Sequence, residues 1–341
     1  MAEIRGVNIG NWLVLEKWMK PVLFEGLSAE DETAFCIELG PDALKRLTPH
    51  RETFITANDF MWIKQAGLNT VRIPVPHWIF GDVQPYWGCI EYLDKGMEWA
   101  KNAGLGVLID LHTAPGCQNG FDNGGILGVC EWHTKSYYVD RTVEVIERLA
   151  KRYKEHDALW GIQLLNEPRW DVPMEILRDY YTRGYEACRR YLDDNVAVVF
   201  HDGFRLREWN DYMRGPEYVN VLLDTHFYQC FTDEDRRMDA QQHLAKTLNQ
   251  RTEEIEEMSQ FFPIIIGEWS LGIDPSLTLK DMNLLQKHAI AQAYAGAQLI
   301  SYENATGWFF WSYKLESENS HWNYRKCVEQ GWFPSVLHDR D

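Results

Sequence analysis

Two glutamates stand at the ends of apolar runs in this sequence. Glu167 follows Leu164-Leu165-Asn166, and Glu268 follows Ile264-Ile265-Ile266-Gly267, 101 residues further along the chain. Such runs are typical of strands buried on both faces, and carboxylates at the C-terminal ends of parallel strands lie where barrel enzymes bind substrates. Two carboxylates that face one another across a cleft are the groups that cleavage of a glycosidic bond requires. The sequence therefore predicts a glycoside hydrolase site with Glu167 and Glu268 as its catalytic pair.

The two glutamates are expected to have different roles. We assign Glu167 as the general acid and base and Glu268 as the nucleophile. In a retaining reaction the carboxyl groups lie about 5–5.5 Å apart, so that one attacks the anomeric carbon while the other protonates the leaving oxygen. The acid must carry a proton near neutrality, and we expect the charge of Glu268 to raise the pKa of Glu167. Once the sugar esterifies Glu268, Glu167 ionises more easily and can act as a base towards water.

Two polar residues in predicted strands are expected to support this pair. Arg72 lies in the hydrophobic run Val71-Arg72-Ile73-Pro74, where an unpaired guanidinium would be costly. We expect it to bind Glu268 and keep it ionised, although an ordinary buried salt bridge would give the same pattern. Asn166 precedes the acid directly and is expected to donate a hydrogen bond to a sugar hydroxyl, the 2-hydroxyl.

Further candidates lie at the ends of other predicted strands. His112 closes the third strand, and His226 with Tyr228 closes the sixth. These side chains are interpreted as neutral donors for sugar hydroxyls, with the satisfied core histidine as the alternative, and Tyr228 can also bond the nucleophile. Trp311 is expected to form an apolar platform under the sugar ring at the cleavage point.

Alternating strand and helix signals position these residues and predict a single α/β domain over residues 1–341. The architecture is predicted to be a (β/α)₈ TIM barrel with the catalytic residues at the C-terminal ends of strands 4 and 7. The predicted strands are 4–9, 69–75, 106–112, 159–166, 196–201, 219–226, 263–267 and 307–313. The predicted helices are 51–65, 90–102, 136–153, 174–191, 241–258 and 284–300, and Pro49 with the polar residues after it is interpreted as opening the first of them. Because Lys20-Pro21 and Gly40-Pro41 interrupt them, residues 11–50 are expected to be irregular and to fold over one barrel end. The polar loop 113–133 is expected to be functional.

Charge and composition restrict the substrate class. The formal net charge is −17, which argues against nucleic acid or an anionic membrane as the main partner, whereas a neutral, hydroxyl-rich substrate is compatible with it. The chain has 15 Trp, 16 Tyr and 15 Phe, and aromatic rings stack on the apolar faces of sugars. Large barrels also bury many aromatic residues, so this abundance alone is weak support.

Cysteines and the terminus bear on cofactors and location. The seven cysteines are scattered without a C-x-x-C pair, which is typical of reduced thiols rather than a disulfide framework or a zinc site. We predict no metal and no other cofactor. The first residues lack the basic and apolar regions of a signal peptide, and no apolar run has membrane-spanning length. We expect a cytoplasmic enzyme, or a secreted one if a leader preceded this sequence.

Taken together, these residues resemble glycoside hydrolase family 5, a family of retaining β-glycosidases on the (β/α)₈ barrel, and within it the exo-β-1,3-glucanase group. The resemblance implies that Glu16 and Asp122 bond hydroxyls of the terminal non-reducing glucose, so that the cleft is a pocket. It also implies that Phe121 and Phe231 clamp the next sugar. The matching segments are 5–8, 11–16, 110–112, 118–123, 166–168, 201–202, 226–231, 267–269 and 307–314.

Three departures from that group leave the linkage open. Asn11 stands where the group has a second glycine, Asp224-Thr225-His226-Phe227 replaces a more histidine-rich run, and Arg169-Trp170 follows the Asn-Glu-Pro segment. Trp170 can reshape the side of the cleft that holds the leaving group.

The main hypothesis is therefore a retaining, exo-acting β-glucosidase for β-1,3-linked glucans, oligosaccharides or glucosides. Within the same class, the rivals are a β-glucosidase or endo-glucanase for β-1,4 or β-1,6 linkages, or for a non-sugar aglycone. A metal-dependent barrel hydrolase would use Asp110, His112, His226 and Glu268 as ligands. A non-catalytic carbohydrate-binding barrel is a more remote alternative, because binding alone needs neither glutamate.

Overall fold

A closed barrel of eight parallel strands forms the centre of the molecule. The computed structural model describes residues 4–273, 279 and 281–333. Each strand pairs with the next along the chain, and the eighth pairs with the first, so the predicted (β/α)₈ fold is confirmed. The strands are β1 (Ile4–Asn8), β2 (Thr70–Val75), β3 (Gly106–Leu111), β4 (Leu159–Gln163), β5 (Ala197–His201), β6 (Val221–His226), β7 (Ile264–Trp269) and β8 (Gly307–Phe310).

Helices connect the strands and cover the barrel. Within the described ranges, none of them is both long enough and apolar enough to span a bilayer. The predicted helix 241–258 is divided by a π-helical turn at Lys246–Arg251, and sequence reasoning missed the last helix. The helices are α1 (Glu32–Leu39), α2 (Ala43–Thr53), α3 (Ala57–Gln65), α4 (Ile90–Ala103), α5 (Ser136–Tyr153), α6 (Met174–Arg189), α7 (Ala240–Ala245), α8 (Thr252–Ser259), α9 (Leu284–Tyr302) and α10 (Tyr324–Glu329).

The predicted helix 51–65 is wrong at its start. Pro49 lies inside α2 instead of opening a helix, and α2 ends only at Thr53. The new helix α3 begins after Thr56, whose backbone N–H and Oγ1 both donate to the Asp59 carboxylate at 2.8 Å. A threonine followed three residues later by an acid is an N-terminal capping pattern, and here it decides the boundary instead of the proline.

Residues 11–50 are more regular than expected, because they contain α1 and most of α2. Asp31 caps α1 by accepting from the backbone N–H of Ala34 at 2.7 Å. The segment has its own apolar cluster, which excludes water from the loop that follows β1. That cluster includes Leu15, Leu23, Phe24, Phe35, Leu47, Trp78 and Tyr86.

The interior of the barrel changes from apolar to polar along the strands. Near their N-terminal ends the strands bury one cluster, which includes Ile4, Leu108, Val199, Leu222, Ile265 and Phe309. Towards the C-terminal ends the buried residues are Asn8, Arg72, Gln163 and Asp224. Buried polar groups of this kind are stable only when they are hydrogen-bonded, so this layer forms a rigid base for a site above it.

Glu32, at the start of α1, holds the loop after β1 in place. It is fully buried, and its Oε2 accepts from the backbone N–H of Leu15 at 2.8 Å. Arg51 lies 3.6 Å from its other oxygen. Burial raises the pKa of Glu32 to about 7, although Arg51 and the Leu15 bond lower it.

We expect Glu32→Gln to change how stability depends on pH. Because the folded-state pKa lies above the ordinary value, Glu32 contributes stability that is complete below about pH 4.5 and is lost as the pH rises to about 7. Glutamine does not titrate, so the free energy of unfolding of the wild type should fall by about 3 kcal/mol relative to this variant over that window. Urea unfolding, followed by tryptophan fluorescence at several pH values, measures this difference. The exposed Glu52→Gln is the control, and parallel profiles for wild type and Glu32→Gln would contradict the prediction.

Candidate active site

One large cavity opens at the C-terminal ends of the strands, with a volume of about 1270 Å³. This exceeds the usual range for a pocket that holds a single small ligand, so more than one sugar ring can fit. Both predicted catalytic glutamates line it, as do Glu16, Phe121, Asp122, His226, Tyr228, Phe231 and Trp311. Most of the site residues predicted from the sequence therefore line this cavity, although Arg72, His112 and Asn166 do not.

Glu268 is held at the base of this cavity by β7. It lies inside the strand, one residue before its end, although the prediction ended the strand at Gly267. The backbone N–H of Gly267 donates to Asp224 Oδ1 at 2.7 Å. A β-carbon at Gly267 would overlap the Asp224 carboxylate, so only glycine allows this approach. The glycine before Glu268 thus fixes the strand against the polar layer.

Glu268 accepts hydrogen bonds on both oxygens. Arg72 Nη1 donates to Oε1 at 2.9 Å, and the Tyr228 hydroxyl donates to Oε2 at 2.8 Å. The predicted contact with Arg72 is present, and so is the suggested contact with Tyr228. Both donors favour the ionised carboxylate and fix its orientation.

Arg72 is a buried centre of the polar layer. Burial lowers the pKa of Arg72, but nearby acids, chiefly Asp110 and Glu268, raise it above its ordinary value, so the guanidinium stays charged. Its Nε donates to Gln163 and its Nη1 to Asn8, both at 2.8 Å. Removing one partner from such a network leaves other buried groups unpaired.

Glu167 follows β4 in a backbone conformation that is rare outside glycine, with a φ of 42°. Such strained residues are concentrated at functional sites. Its Oε1 lies 2.7 Å from His226 Nδ1, and its Oε2 accepts from Asn123 Nδ2 at 3.0 Å. Sequence reasoning assigned no role to Asn123, although it lies in the loop segment 118–123 that carries the family resemblance.

His226 lies between the two glutamates and limits their separation. Its Nδ1 is 2.7 Å from Glu167 Oε1 and 3.5 Å from Glu268 Oε2. These two oxygens are therefore at most 6.2 Å apart, the sum of the two distances. Inverting enzymes keep their carboxyl groups about 6.5–9.5 Å apart to admit a water molecule, whereas retaining enzymes use about 5–5.5 Å. The geometry favours the retaining arrangement.

The expectation that His226 is a neutral donor for the sugar is wrong. Its second nitrogen, Nε2, lies 3.1 Å from Asp224 Oδ2, so carboxylates engage both ring nitrogens. Burial lowers the pKa of His226, but the charges of Glu268 and Asp224 and the bond to Glu167 raise it well above the ordinary value. Both ring nitrogens of His226 therefore face carboxylates, and neither is left for a sugar hydroxyl.

The expected rise in the pKa of Glu167 is also absent. Burial raises the pKa of Glu167, but the bond and charge of His226, with the bond from Asn123, lower it below the ordinary value. For Glu268, burial raises the pKa, His226 and Arg72 oppose this, and the charge of Glu167 adds to it. His226 Nδ1 can therefore carry the proton that the acid needs, one hydrogen bond away from Glu167.

Two buried donors point to a ligand. Asn166 Oδ1 accepts from Arg72 Nη2 at 2.7 Å, and His112 Nδ1 lies 2.6 Å from Asp110 Oδ2. Asn166 Nδ2 and His112 Nε2 are buried and have no partner within the part of the chain that the structure describes. Buried polar atoms are rarely left unpaired, so both fit the predicted bonds to sugar hydroxyls. Trp311 stacks on the His112 ring at 5.6 Å, which places it in the predicted sugar-binding region.

Glu16 and Asp122 form an acidic group in the same cavity. Burial and the charge of Asp122 raise the pKa of Glu16 well above its ordinary value. Trp18 Nε1 donates to Glu16 Oε2 at 2.8 Å, a contact that sequence reasoning missed. The backbone N–H of Glu16 donates to Asn11 Oδ1 at 2.8 Å. Asn11 has a φ of 58°, a left-handed conformation that asparagine tolerates better than most residues. The asparagine in place of glycine is thereby explained.

Phe121 and Phe231 belong to two separate aromatic groups. Phe121 contacts Trp170 at 6.4 Å between ring centroids, and Phe231 contacts Tyr228 at 5.3 Å and Trp322 at 6.1 Å. The first group is carried by loops after β3 and β4, and the second by loops after β6 and β8. The barrel order separates these loops, so the two groups line different sides of the cavity, as a clamp requires.

A metal ion does not fit the donor set. Ligand atoms of Glu167, His201 and His226 lie within 4.8 Å of one another. A histidine ligand must offer a neutral nitrogen, whereas both nitrogens of His226 bind carboxylates. The alternative set of Asp110, His112, His226 and Glu268 fails for the same reason.

Comparisons with known proteins decide the family. The family model described as "Cellulase (glycosyl hydrolase family 5)" matches residues 44–317. The chain belongs to glycosyl hydrolase family 5. A probable glucan 1,3-beta-glucosidase A of Aspergillus fumigatus is 36% identical over 99% of this chain and 88% of its own length. A glucan 1,3-beta-glucosidase of Blumeria graminis is 34% identical over the same shares.

Solved structures agree with the family 5 fold. The rutinosidase from Aspergillus niger superposes with a TM-score of 0.82 at 20% identity, covering 97% of each chain. The endoglucanase Cel5A from Thermotoga maritima gives 0.61 at 17% identity, covering 98% of this chain and 97% of that one. As a family 5 member, the chain is a retaining β-glycoside hydrolase.

Proposed function

We propose that this family 5 enzyme removes terminal glucose from β-1,3-linked gluco-oligosaccharides, with Glu268 as nucleophile and Glu167 as acid and base. The relatives named glucan 1,3-beta-glucosidase support the linkage. Buried Glu16 and half-buried Asp122 carry the exo-acting part of the proposal, because both line the active-site cavity and the charge of Asp122 raises the pKa of Glu16. Neighbouring acids of raised pKa can both accept from and donate to hydroxyls, which suits the end of a sugar chain.

In the first step a Glu268 carboxylate oxygen bonds to the anomeric carbon while the bond to the leaving oxygen breaks. The leaving oxygen takes a proton from Glu167, which His226 supplies along the 2.7 Å bond between them. After this transfer His226 is neutral, and its remaining Nε2–H still donates to Asp224. Arg72 and Tyr228 hold the nucleophile during the attack.

In the second step water replaces the enzyme at the anomeric carbon. Glu167 removes a proton from the water, the new oxygen bonds to the carbon, and the Glu268 carboxylate leaves. Because the positive charge of His226 is restored by that proton, the pair returns to its initial state. The unpaired Asn166 Nδ2 is placed to donate to a sugar hydroxyl in both transition states.

Hydrolysis of laminari-oligosaccharides tests this proposal. Chromatography should show glucose as the first product, with the chain shortened by one unit at a time. Laminaribiose should be cleaved faster than cellobiose or gentiobiose. Glu16→Gln should lower kcat/KM on laminaritriose by about 10- to 100-fold, the cost of leaving a buried hydrogen-bonding group without a partner, whereas the exposed Glu30→Gln should not. Internal cleavage without glucose release, or preference for another linkage, would reject the exo-acting β-1,3 assignment.

A further inference from the structure

Three aromatic rings form a continuous surface at the rim of the cavity. Trp170 lies 6.4 Å from Phe121 and 6.2 Å from Phe204, with interplanar angles of 41° and 68°. Trp170 is 57% exposed and Phe204 is 40% exposed, although both line the active-site cavity. Exposed apolar surface of this kind marks a binding site more often than chance. We call these three residues the rim platform.

The backbone holds two of these rings in fixed positions. Arg169 donates twice to Asp171, at 2.6 and 2.8 Å, which braces the residues on either side of Trp170. Phe204 has a φ of 59°, and its N–H donates to Asp202 Oδ1 at 2.8 Å. A phenylalanine in this left-handed region is strained, and such strain persists where the surroundings impose it. The platform is therefore preorganised.

The rim platform lies on the side of the cavity where the leaving group departs. Trp170 is three residues beyond Glu167, which protonates the leaving oxygen in the proposed mechanism. The three rings are carried by the loops after β3, β4 and β5, whereas Phe231 is carried by the loop after β6. The platform thus extends one side of the cavity beyond Phe121.

The polar groups beside the platform are already engaged. Arg169 and Asp171 bind one another, and Asp202 accepts from Phe204 N–H and from Thr225 Oγ1 at 2.9 Å. These groups are therefore not available to hydrogen-bond the hydroxyls of another sugar. The exception is Arg205, whose buried Nε and Nη2 have no partner among the described residues. These N–H groups can donate to an oxygen of the leaving group, and the guanidinium charge favours the face of an aromatic ring nearby.

From these observations we infer that the rim platform, with Trp170 at its centre, binds a flat aromatic leaving group of a β-glucoside. This rests on the proposed function, because it names the aglycone of the same site. The substrate class is an aryl β-glucoside whose rings extend past Phe121. The aromatic aglycone stacks on Trp170, while glucose occupies the region of Glu16 and Asp122.

Variants of Trp170 test this inference on two substrates. Trp170→Ala should lower kcat/KM for 2-naphthyl β-glucoside by about 10- to 100-fold, as expected for loss of an aromatic contact in a preformed site. It should change kcat/KM for methyl β-glucoside by less than about twofold, since methyl cannot reach the platform. Trp170→Phe should restore most of the naphthyl activity. The control is Tyr137→Ala, which removes a ring that is 64% exposed on α5, outside the cavity lining.

The outcomes separate this inference from the proposed function. If the wild type hydrolyses both glucosides but Trp170→Ala leaves their ratio unchanged, the platform assignment fails and the hydrolase assignment stands. Equal losses on both substrates would also overturn it, as would a selective loss on laminaritriose, which would make the platform a sugar subsite. If the wild type hydrolyses no β-glucoside at all, the proposed function fails first.

Discussion

Replacement of Glu268 by alanine is expected to lower kcat on every substrate by about 10⁵-fold, the scale seen when a covalent nucleophile is removed. The variant loses the bond to the anomeric carbon, while Glu167, His226 and the sugar-binding donors are retained. Arg72 and Tyr228 lose their shared acceptor, so we also expect a moderate loss of stability. Assays on laminaribiose and on an aryl β-glucoside measure the loss of turnover.

Chemical rescue makes the Glu268 prediction specific. Without the side chain, a small anion such as azide can enter the vacated space and attack the anomeric carbon from that side. The product is then α-glucosyl azide, with inverted configuration, which NMR identifies. Glu32→Gln, a change at another buried glutamate, should keep wild-type turnover at neutral pH. Activity of Glu268→Ala within tenfold of the wild type, or a β-azide product, would remove Glu268 as the nucleophile.

The barrel and its central residues could be predicted because each depends on short-range pattern. Apolar runs of strand length that end in a carboxylate placed Glu167 and Glu268 at one end of a parallel barrel. The cost of burying a lone guanidinium predicted that Arg72 binds an acid. Such inferences need only local sequence and a fold class.

The charges in the site could not be predicted from the same pattern. The pKa of His226 depends on Asp224 of its own strand, on Glu268 of β7 and on Glu167 after β4, and the pKa of Glu167 depends in turn on His226. The contacts of His226 with Glu268 and Glu167 exist only when the barrel closes. Asn123 was missed for a similar reason, since its bond to Glu167 joins two loops that are separate in sequence.

The errors in the fold have local causes. Pro49 was interpreted as a helix start, whereas the capping pattern of Thr56 and Asp59 sets the boundary. The segment 11–50 was expected to be irregular because Lys20-Pro21 and Gly40-Pro41 interrupt it, yet α1 and α2 fit between and after these breaks. Proline and glycine marked interruptions correctly but did not define what lies between them.

Replacement of Glu167 by alanine is expected to affect substrates according to their leaving groups. For laminaribiose, whose leaving sugar needs a proton, kcat/KM should fall by about 10³- to 10⁴-fold, the upper range for general acid catalysis. For 2,4-dinitrophenyl β-glucoside, which releases a stable phenolate, kcat/KM should stay within about tenfold of the wild type. Its kcat should fall, because hydrolysis of the sugar ester lacks a base, and a burst of phenolate should precede the slow steady state.

Azide should again accelerate the Glu167 variant, but with the opposite stereochemistry. It replaces water as the second nucleophile on the ester of Glu268, so the product is β-glucosyl azide. The exposed Glu131→Ala, in the loop after β3, should behave as the wild type. An α-azide product, or equal losses on both substrates, would contradict the acid and base role of Glu167.

The pH profile gives an independent test of the Glu167 and His226 pair. Glycosylation requires the pair to hold a proton, and the pKa of His226 lies well above its ordinary value of 6.5. Wild-type kcat/KM on laminaribiose should therefore be full below that raised pKa and decline as the pH rises through it. In Glu167→Ala the proton on His226 has no path to the leaving oxygen, so kcat/KM on 2,4-dinitrophenyl β-glucoside should lose this decline. A basic limb that persists unchanged in the variant would show that another group supplies the proton.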